Sequence, residues 1–226
     1  MMKQRLLAAA TVIALGLAGH AQAQTFSAVG DFSIANNPNG VWAYRYAIPG
    51  PTTLTLTSQC SIAGAACWWD GASIPDSVAI VKNTTGGTIS YADVNQGPNV
   101  LAMDPESYTA IVQFTAPVAG IYSINGDFTG IATDNNPHPV AIMDDGVSIY
   151  SNTVSTYGQD DAFNLTETLA VNDTIDFEVL TGTNGCSYCS LTTGLDASLS
   201  VPEPASLALL ATGLTGLMLR RRRKAT

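Results

Sequence analysis

The sequence predicts an all-β fold, a two-sheet β-sandwich occupying residues 24–200. Apolar and aromatic side chains alternate with polar ones in ten short runs, at 25–34, 41–48, 53–57, 77–81, 110–114, 121–128, 140–150, 163–169, 174–180 and 191–199. Strong turn chemistry separates them: Asn36-Asn37-Pro38-Asn39-Gly40, Pro49-Gly50-Pro51, Thr85-Gly86-Gly87, Ala116-Pro117-Val118-Ala119-Gly120 and Asp144-Asp145-Gly146. No segment inside this stretch shows helical spacing with caps. The apolar, helix-favouring segments lie at the two ends, in residues 1–23 and 201–226.

At the first end, Lys3 and Arg5 precede an apolar run at 6–17, and Ala21-Gln22-Ala23 supplies the small residues of a signal-peptidase site. The mature chain is then expected to begin at Gln24. In the first strong run after it, Trp42, Tyr44 and Tyr46 share one strand face and read as core. Trp68 and Trp69 are adjacent, so on a strand they face opposite sides. One is expected to fill the core and the other to line a groove beside the Cys60 to Cys67 loop, where an indole face suits sugar stacking.

Cys60, Cys67, Cys186 and Cys189 all fall on the exported side of both end segments, where thiols oxidise. Four cysteines allow three pairings. Loop-local bridges, Cys60 with Cys67 and Cys186 with Cys189, are the favoured pair. The Cys-x-x-Cys spacing also suits zinc, but the other pair is too widely spaced for that site, so no metal is expected from it.

Removal of both ends changes the charge. Residues 24–200 keep only Arg45 and Lys82 against seventeen acids, a net of −15, where the whole chain carries −9. Nucleic acid and anionic lipid need cations to neutralise phosphate, so neither is an expected partner. Divalent cations and neutral polymers are compatible. Asp134, Asp144-Asp145 and Asp160-Asp161 could offer oxygen ligands to calcium, although none matches a twelve-residue calcium loop. The same pairs could offer two carboxylates for glycoside hydrolysis, but Asp144-Asp145-Gly146 reads first as a hairpin turn. His138, the one histidine of the mature chain, sits in Asn136-Pro137-His138-Pro139 and reads as a loop residue. Nothing near a serine forms a nucleophile turn, so no catalytic residue is assigned and the body is expected not to be an enzyme.

At the second end, Val201-Pro202-Glu203-Pro204 is extended, because each proline excludes its predecessor from the helical region. Residues 205–219 carry no charge and would form a helix of about 22 Å, short of the ~30 Å hydrocarbon core of a bilayer. Arg220, Arg221, Arg222, Arg223 and Lys224 follow and favour a cytoplasmic end. This order of motif, apolar stretch and basic block resembles the PEP-CTERM sorting signal of exported bacterial proteins. The resemblance implies processing by an exosortase, a transient stay in the inner membrane, and delivery to the cell surface or extracellular matrix.

The body carries a second resemblance. Val112-Gln113-Phe114-Thr115-Ala116-Pro117 followed by Gly120-Ile121-Tyr122-Ser123-Ile124-Asn125-Gly126, with Leu169-Ala170-Val171-Asn172-Asp173-Thr174-Ile175-Asp176-Phe177-Glu178-Val179, is similar to the strand pairs of jelly-roll sandwiches in carbohydrate-binding modules and in many PEP-CTERM bodies. It implies a jelly-roll-like sandwich and leaves two functions open. One is a non-catalytic envelope or matrix protein that binds polysaccharide or serves structurally. The other is an extracellular glycan hydrolase using paired carboxylates.

Overall fold

The computed structural model describes residues 23–50, 52–72, 77–134, 136–181 and 191–202. The signal segment up to Gln22, Cys186, Cys189 and the tail from Glu203 lie outside them, as do both expected terminal helices. Residues Thr25–Ser200 form one compact unit. Among the described residues every regular element is a strand, and no helix is long and apolar enough to cross a membrane.

Two antiparallel sheets make the sandwich. The first contains β1 (Gln24–Ser27), β4 (Ser58–Gln59), β5 (Ala65–Trp69), β6 (Ala79–Asn83), β9 (Leu101–Asp104), β11 (Gly120–Gly130), β14 (Asp160–Leu169) and β16 (Thr193–Val201). Its order is β14-β11-β16-β9-β6-β5-β4, with β1 also paired to β16. The second contains β2 (Trp42–Ala47), β3 (Thr53–Thr55), β10 (Thr109–Thr115), β12 (His138–Asp144), β13 (Val147–Val154) and β15 (Thr174–Val179), in the order β13-β12-β15-β10-β2-β3. A separate ribbon pairs β7 (Ile89–Tyr91) with β8 (Val94–Gln96).

Alternation on the strands builds the core, because every second side chain of each sheet faces the other sheet. Ala110, Val112 and Phe114 on β10, and Ile175, Phe177 and Val179 on β15, are all fully buried. They meet Tyr122, Ile124 and Phe128 of β11 and Leu195, Ala197 and Leu199 of β16. Aromatic rings join the sheets: Phe114 lies 5.1 Å from Phe26 and 5.8 Å from Tyr122, while Phe163 lies 5.8 Å from Phe177. Such tilted pairs add ~1 kcal/mol each beyond the area they bury. Gly126 on β11 permits this approach, since a Cβ there would collide with the Asp196 carbonyl and the Phe163 ring.

Two sequence expectations change. His138 is not a loop residue: it opens β12, is fully buried, and joins the sheets by a 2.6 Å hydrogen bond between Nε2 and Thr193 Oγ1. Its Nδ1 lies 2.6 Å from the Asn136 carbonyl, and burial holds its pKa below the usual histidine range. The run at 25–34 ends as a strand at Ser27, because Asp31 accepts the Ser27 amide and closes a turn. The hairpin turn read at Asp144-Asp145-Gly146 is present and divides the run at 140–150 into β12 and β13, with Asp145 and Gly146 at φ 45° and 81°.

Candidate functional site

The outward faces of the two sheets carry the chemistry. On β5, β6 and β9 the positions that alternate with inward Trp68, Ile80 and Met103 point away from the sandwich core. Cys67, Val81 and Ala102 lie there and form a small second core with Val94 of the ribbon and Ile131. Cys60, Ala79 and Tyr91 pack on the same cluster. The Cys60–Cys67 disulfide, with a Cα–Cα distance of 5.6 Å, thus fastens an apolar layer outside the sheet. Cys186 and Cys189 are outside the described residues.

Buried amides hold the ribbon down. Gln96 Nε2 donates to the carbonyls of Val81 and Val100 at 2.8 and 2.9 Å, and Asn83 Nδ2 donates to those of Gly87 and Gln96 at 2.7 and 2.9 Å. The Tyr91 hydroxyl donates to Gln96 Oε1 at 3.1 Å. This network puts Tyr91 and Asp93 beside β9.

Across that surface runs one row of register, Trp69 opposite Ala79 and Ala79 opposite Asp104. Two strand spacings separate its ends by about 10 Å, with only a methyl group between. Burial pushes the Asp104 carboxyl up to about 7, despite a hydrogen bond with Thr192. Tyr91 is raised too, first by burial and then by Asp104 and Asp93. The Trp69 indole nitrogen and Asp93 Oδ2 are withdrawn from water without a hydrogen-bond partner. The row therefore combines a half-buried indole and a phenol with a donor and an acceptor that remain unused.

Trp68 has a different place. It is 6% exposed, and its indole N–H donates to the Ser33 carbonyl at 2.8 Å, so its face packs inward and offers no stacking surface. Of the two tryptophans, Trp69 is the one on the outward face, where it is half-buried. The expected processing sites flank the strands: Ala23 and Gln24 are exposed and Gln24 opens β1, while β16 ends at Val201, directly before exposed Pro202.

The acidic pairs do not assemble. Asp160 accepts from Thr129 Oγ1 at 3.0 Å, Asp161 accepts from Gln159 at 3.1 Å, and Asp145 accepts the Thr174 amide at 2.8 Å. Asp127 and Asp196 do face each other across strands, and burial followed by Asp127 raises Asp196. A cleft of about 300 Å³ lined by Ser27, Val29, Gly30, Asn99 and Asp196 opens beside them. Among the described residues no three His, Cys, Asp or Glu side chains converge as metal ligands would.

The second sheet's outward face holds a cluster that motif reading overlooked. Arg45 Nη1 donates to Gln113 Oε1 at 2.8 Å, and Gln113 hydrogen-bonds the Asp176 carboxylate. Glu178 is two residues from Asp176 on β15, and burial followed by Asp176 raises its carboxyl to about 7. A signal was present: inward Ile175, Phe177 and Val179 oblige Asp176 and Glu178 to share the outward face.

No curated protein matches the chain. Among solved structures, a family 35 carbohydrate-binding module from Clostridium thermocellum is similar at 11% identity and TM-score 0.32, over 50% of this chain and 85% of that one. The family 51 module from Clostridium perfringens GH95, in complex with methyl-galactose, is similar at 12% identity and TM-score 0.34, over 65% and 94%. Likeness of this degree carries no weight for ligand or activity. Residues 200–223 match the PEP-CTERM protein-sorting motif. The chain therefore carries a PEP-CTERM sorting signal and is an exported, surface-targeted protein.

Proposed function

We propose that this chain is an envelope or matrix protein with three parts, a signal peptide at 1–23, a β-sandwich at 24–200 and a sorting segment at 201–226. Signal peptidase cuts before Gln24, exosortase processes the Pro202-Glu203-Pro204 motif while the apolar segment rests in the inner membrane, and the sandwich binds extracellular polysaccharide without turning it over. The row of Trp69, Ala79 and Asp104, with Tyr91 beside it, carries the binding reading. A sugar ring stacks its apolar face on the indole over the Ala79 floor, with the Asp104 carboxyl at the far end of the row as the polar group beside it.

Intact-mass analysis of the native product tests the processing, with a start at Gln24 and loss of Arg220 to Lys224 as the expected result. Affinity electrophoresis in gels containing the cell's own exopolysaccharide tests the binding, and retardation of the mature protein is expected. Reducing-sugar release that disappears in Asp160→Asn or Asp161→Asn would establish a hydrolase instead.

A further inference from the structure

Strand register gathers several turns at the end of the sandwich where β16 finishes. β10 ends there at Thr115 opposite Thr174 of β15, β11 begins there at Gly120 opposite Leu169 of β14, and β12 turns there into β13 between Asp144 and Val147. β16 runs toward the same end, with Ser200 opposite Ser123, and stops at Val201. Three large hydrophobic side chains stand exposed at this end: Val147 at 67%, Ile121 at 58% and Val171, in the turn after β14, at 53%. They are more exposed than Tyr157 and Leu54, the other large hydrophobics that face water among the described residues. Carboxyls lie among them, since Asp144 is raised by burial and then by Asp145, Glu167 and Asp173. The two cations of residues 24–200 are elsewhere: Arg45 is opposite Ile111, and Lys82 is opposite Leu101, which pairs with Leu195 well before Val201. Pro202-Glu203-Pro204 follows Val201 directly, so an enzyme acting on that motif works within about 10 Å of chain from the sandwich. Its surface therefore lies against this end.

We propose that this end is a docking surface for the processing exosortase, in which Ile121, Val147 and Val171 enter an apolar patch of the enzyme and the four acids meet cations around it. Exposed apolar side chains gathered at one place mark an interaction surface, and here the cut site is tethered beside them. A bilayer is the poorer occupant, because four carboxyls without a lysine or arginine would face lipid phosphates. The proposal rests on the processing reading and adds that the enzyme recognises the folded body together with the motif. Contact at this end raises the effective concentration of the motif at the enzyme, so it speeds cleavage without entering the active site.

The test is a pulse-chase measurement of how fast the full-length precursor loses Arg220 to Lys224 in the cells that make it. The triple variant Ile121→Ser, Val147→Ser, Val171→Ser should be processed at least about fivefold more slowly than wild type, while Leu54→Ser with Tyr157→Ser keeps the wild-type rate. The three replaced side chains are exposed, so the near-ultraviolet circular dichroism of the aromatic core should be unchanged. A second arm leaves this end untouched: a spacer of about twenty Gly and Ser residues inserted after Val201 lets the motif move roughly 25 Å away. It should slow the wild type to the rate of the triple variant, with no further loss when the two changes are combined. Equal rates in wild type and triple variant, or a spacer without effect, overturn the proposal. Slow processing that arises because the triple variant leaves the inner-membrane fraction would assign this end to lipid and overturn it too. A wild type that keeps its basic block would instead sink the processing reading, and the docking surface with it.

Discussion

The two outward faces of the sandwich are made by the same alternation and finished differently. On the larger sheet, small and apolar residues such as Cys67, Ala79, Val81 and Ala102 face outward, which would expose an apolar surface if nothing covered it. The chain covers it with the β7–β8 ribbon and a disulfide-tied loop. On the smaller sheet the outward residues are Arg45, Gln113, Asp176 and Glu178, which satisfy most of each other's bonding in place. One face thus obtains its chemistry from an added layer, whose position depends on long-range hydrogen bonds. The other obtains it from the strands themselves.

If that contrast is right, the larger face should be the more fragile. Gln96→Ala removes two buried amide hydrogen bonds and leaves the Val81 and Val100 carbonyls short of partners, a loss of about 2–4 kcal/mol. Hydrogen exchange should show the excess opening in residues 87–96 and around Cys67, with the strands of the smaller sheet still protected. Uniform loss of protection would mean that the ribbon is not a separate layer.

Replacing Cys60 and Cys67 with serine should lower stability by about 2 kcal/mol, as expected for a short closed loop. The aromatic core between the sheets should persist, and near-ultraviolet circular dichroism would report this. Global unfolding on this change would make the disulfide a requirement of the sandwich and not of its outer layer.

Each face also holds one acid raised to about 7, Asp104 on the larger sheet and Glu178 on the smaller. An acid whose pKa is higher folded than unfolded binds more protons in the native state between those values, so stability falls as pH rises from about 4 to about 7. His138 acts in the opposite sense: its lowered pKa removes stability as pH falls below about 6.5. Asp144, Asp176 and Asp196 are raised as well, so the acids prevail and the melting temperature should be higher at pH 5.5 than at pH 8. Asp104→Asn and Glu178→Gln should each flatten the profile and stabilise the protein at pH 8, by on the order of 1 kcal/mol after allowance for solvent screening. Identical profiles for wild type and both variants would contradict the assignment.

Legibility in the sequence follows the same division. The sandwich core was readable because strands such as β10 and β15 bury Val112, Phe114, Ile175 and Phe177 at strict alternation, a local signal. Strands β4, β5, β7, β8 and β9 were not separately foreseen. They are two to five residues long, and alanine, serine and glycine around them blur the period. Trp69 was readable as one of two adjacent indoles facing opposite ways. Its companions Tyr91 and Asp104 were not, because long-range hydrogen bonds of Gln96 and Asn83 and the packing of Val94 bring the ribbon to β9. The Arg45 cluster was within reach of alternation, but acidic pairs adjacent in sequence drew attention from the Asp176, Glu178 pair, which is adjacent in space.

Affinity electrophoresis of the mature protein in its own exopolysaccharide, comparing wild type with Trp69→Ala, tests polysaccharide binding most directly. Removal of a stacked ring should weaken binding by about 1–3 kcal/mol, and the loss should persist at high salt because stacking on a neutral sugar is little screened. Retardation unchanged by Trp69→Ala, or abolished by salt in the wild type, would contradict the account.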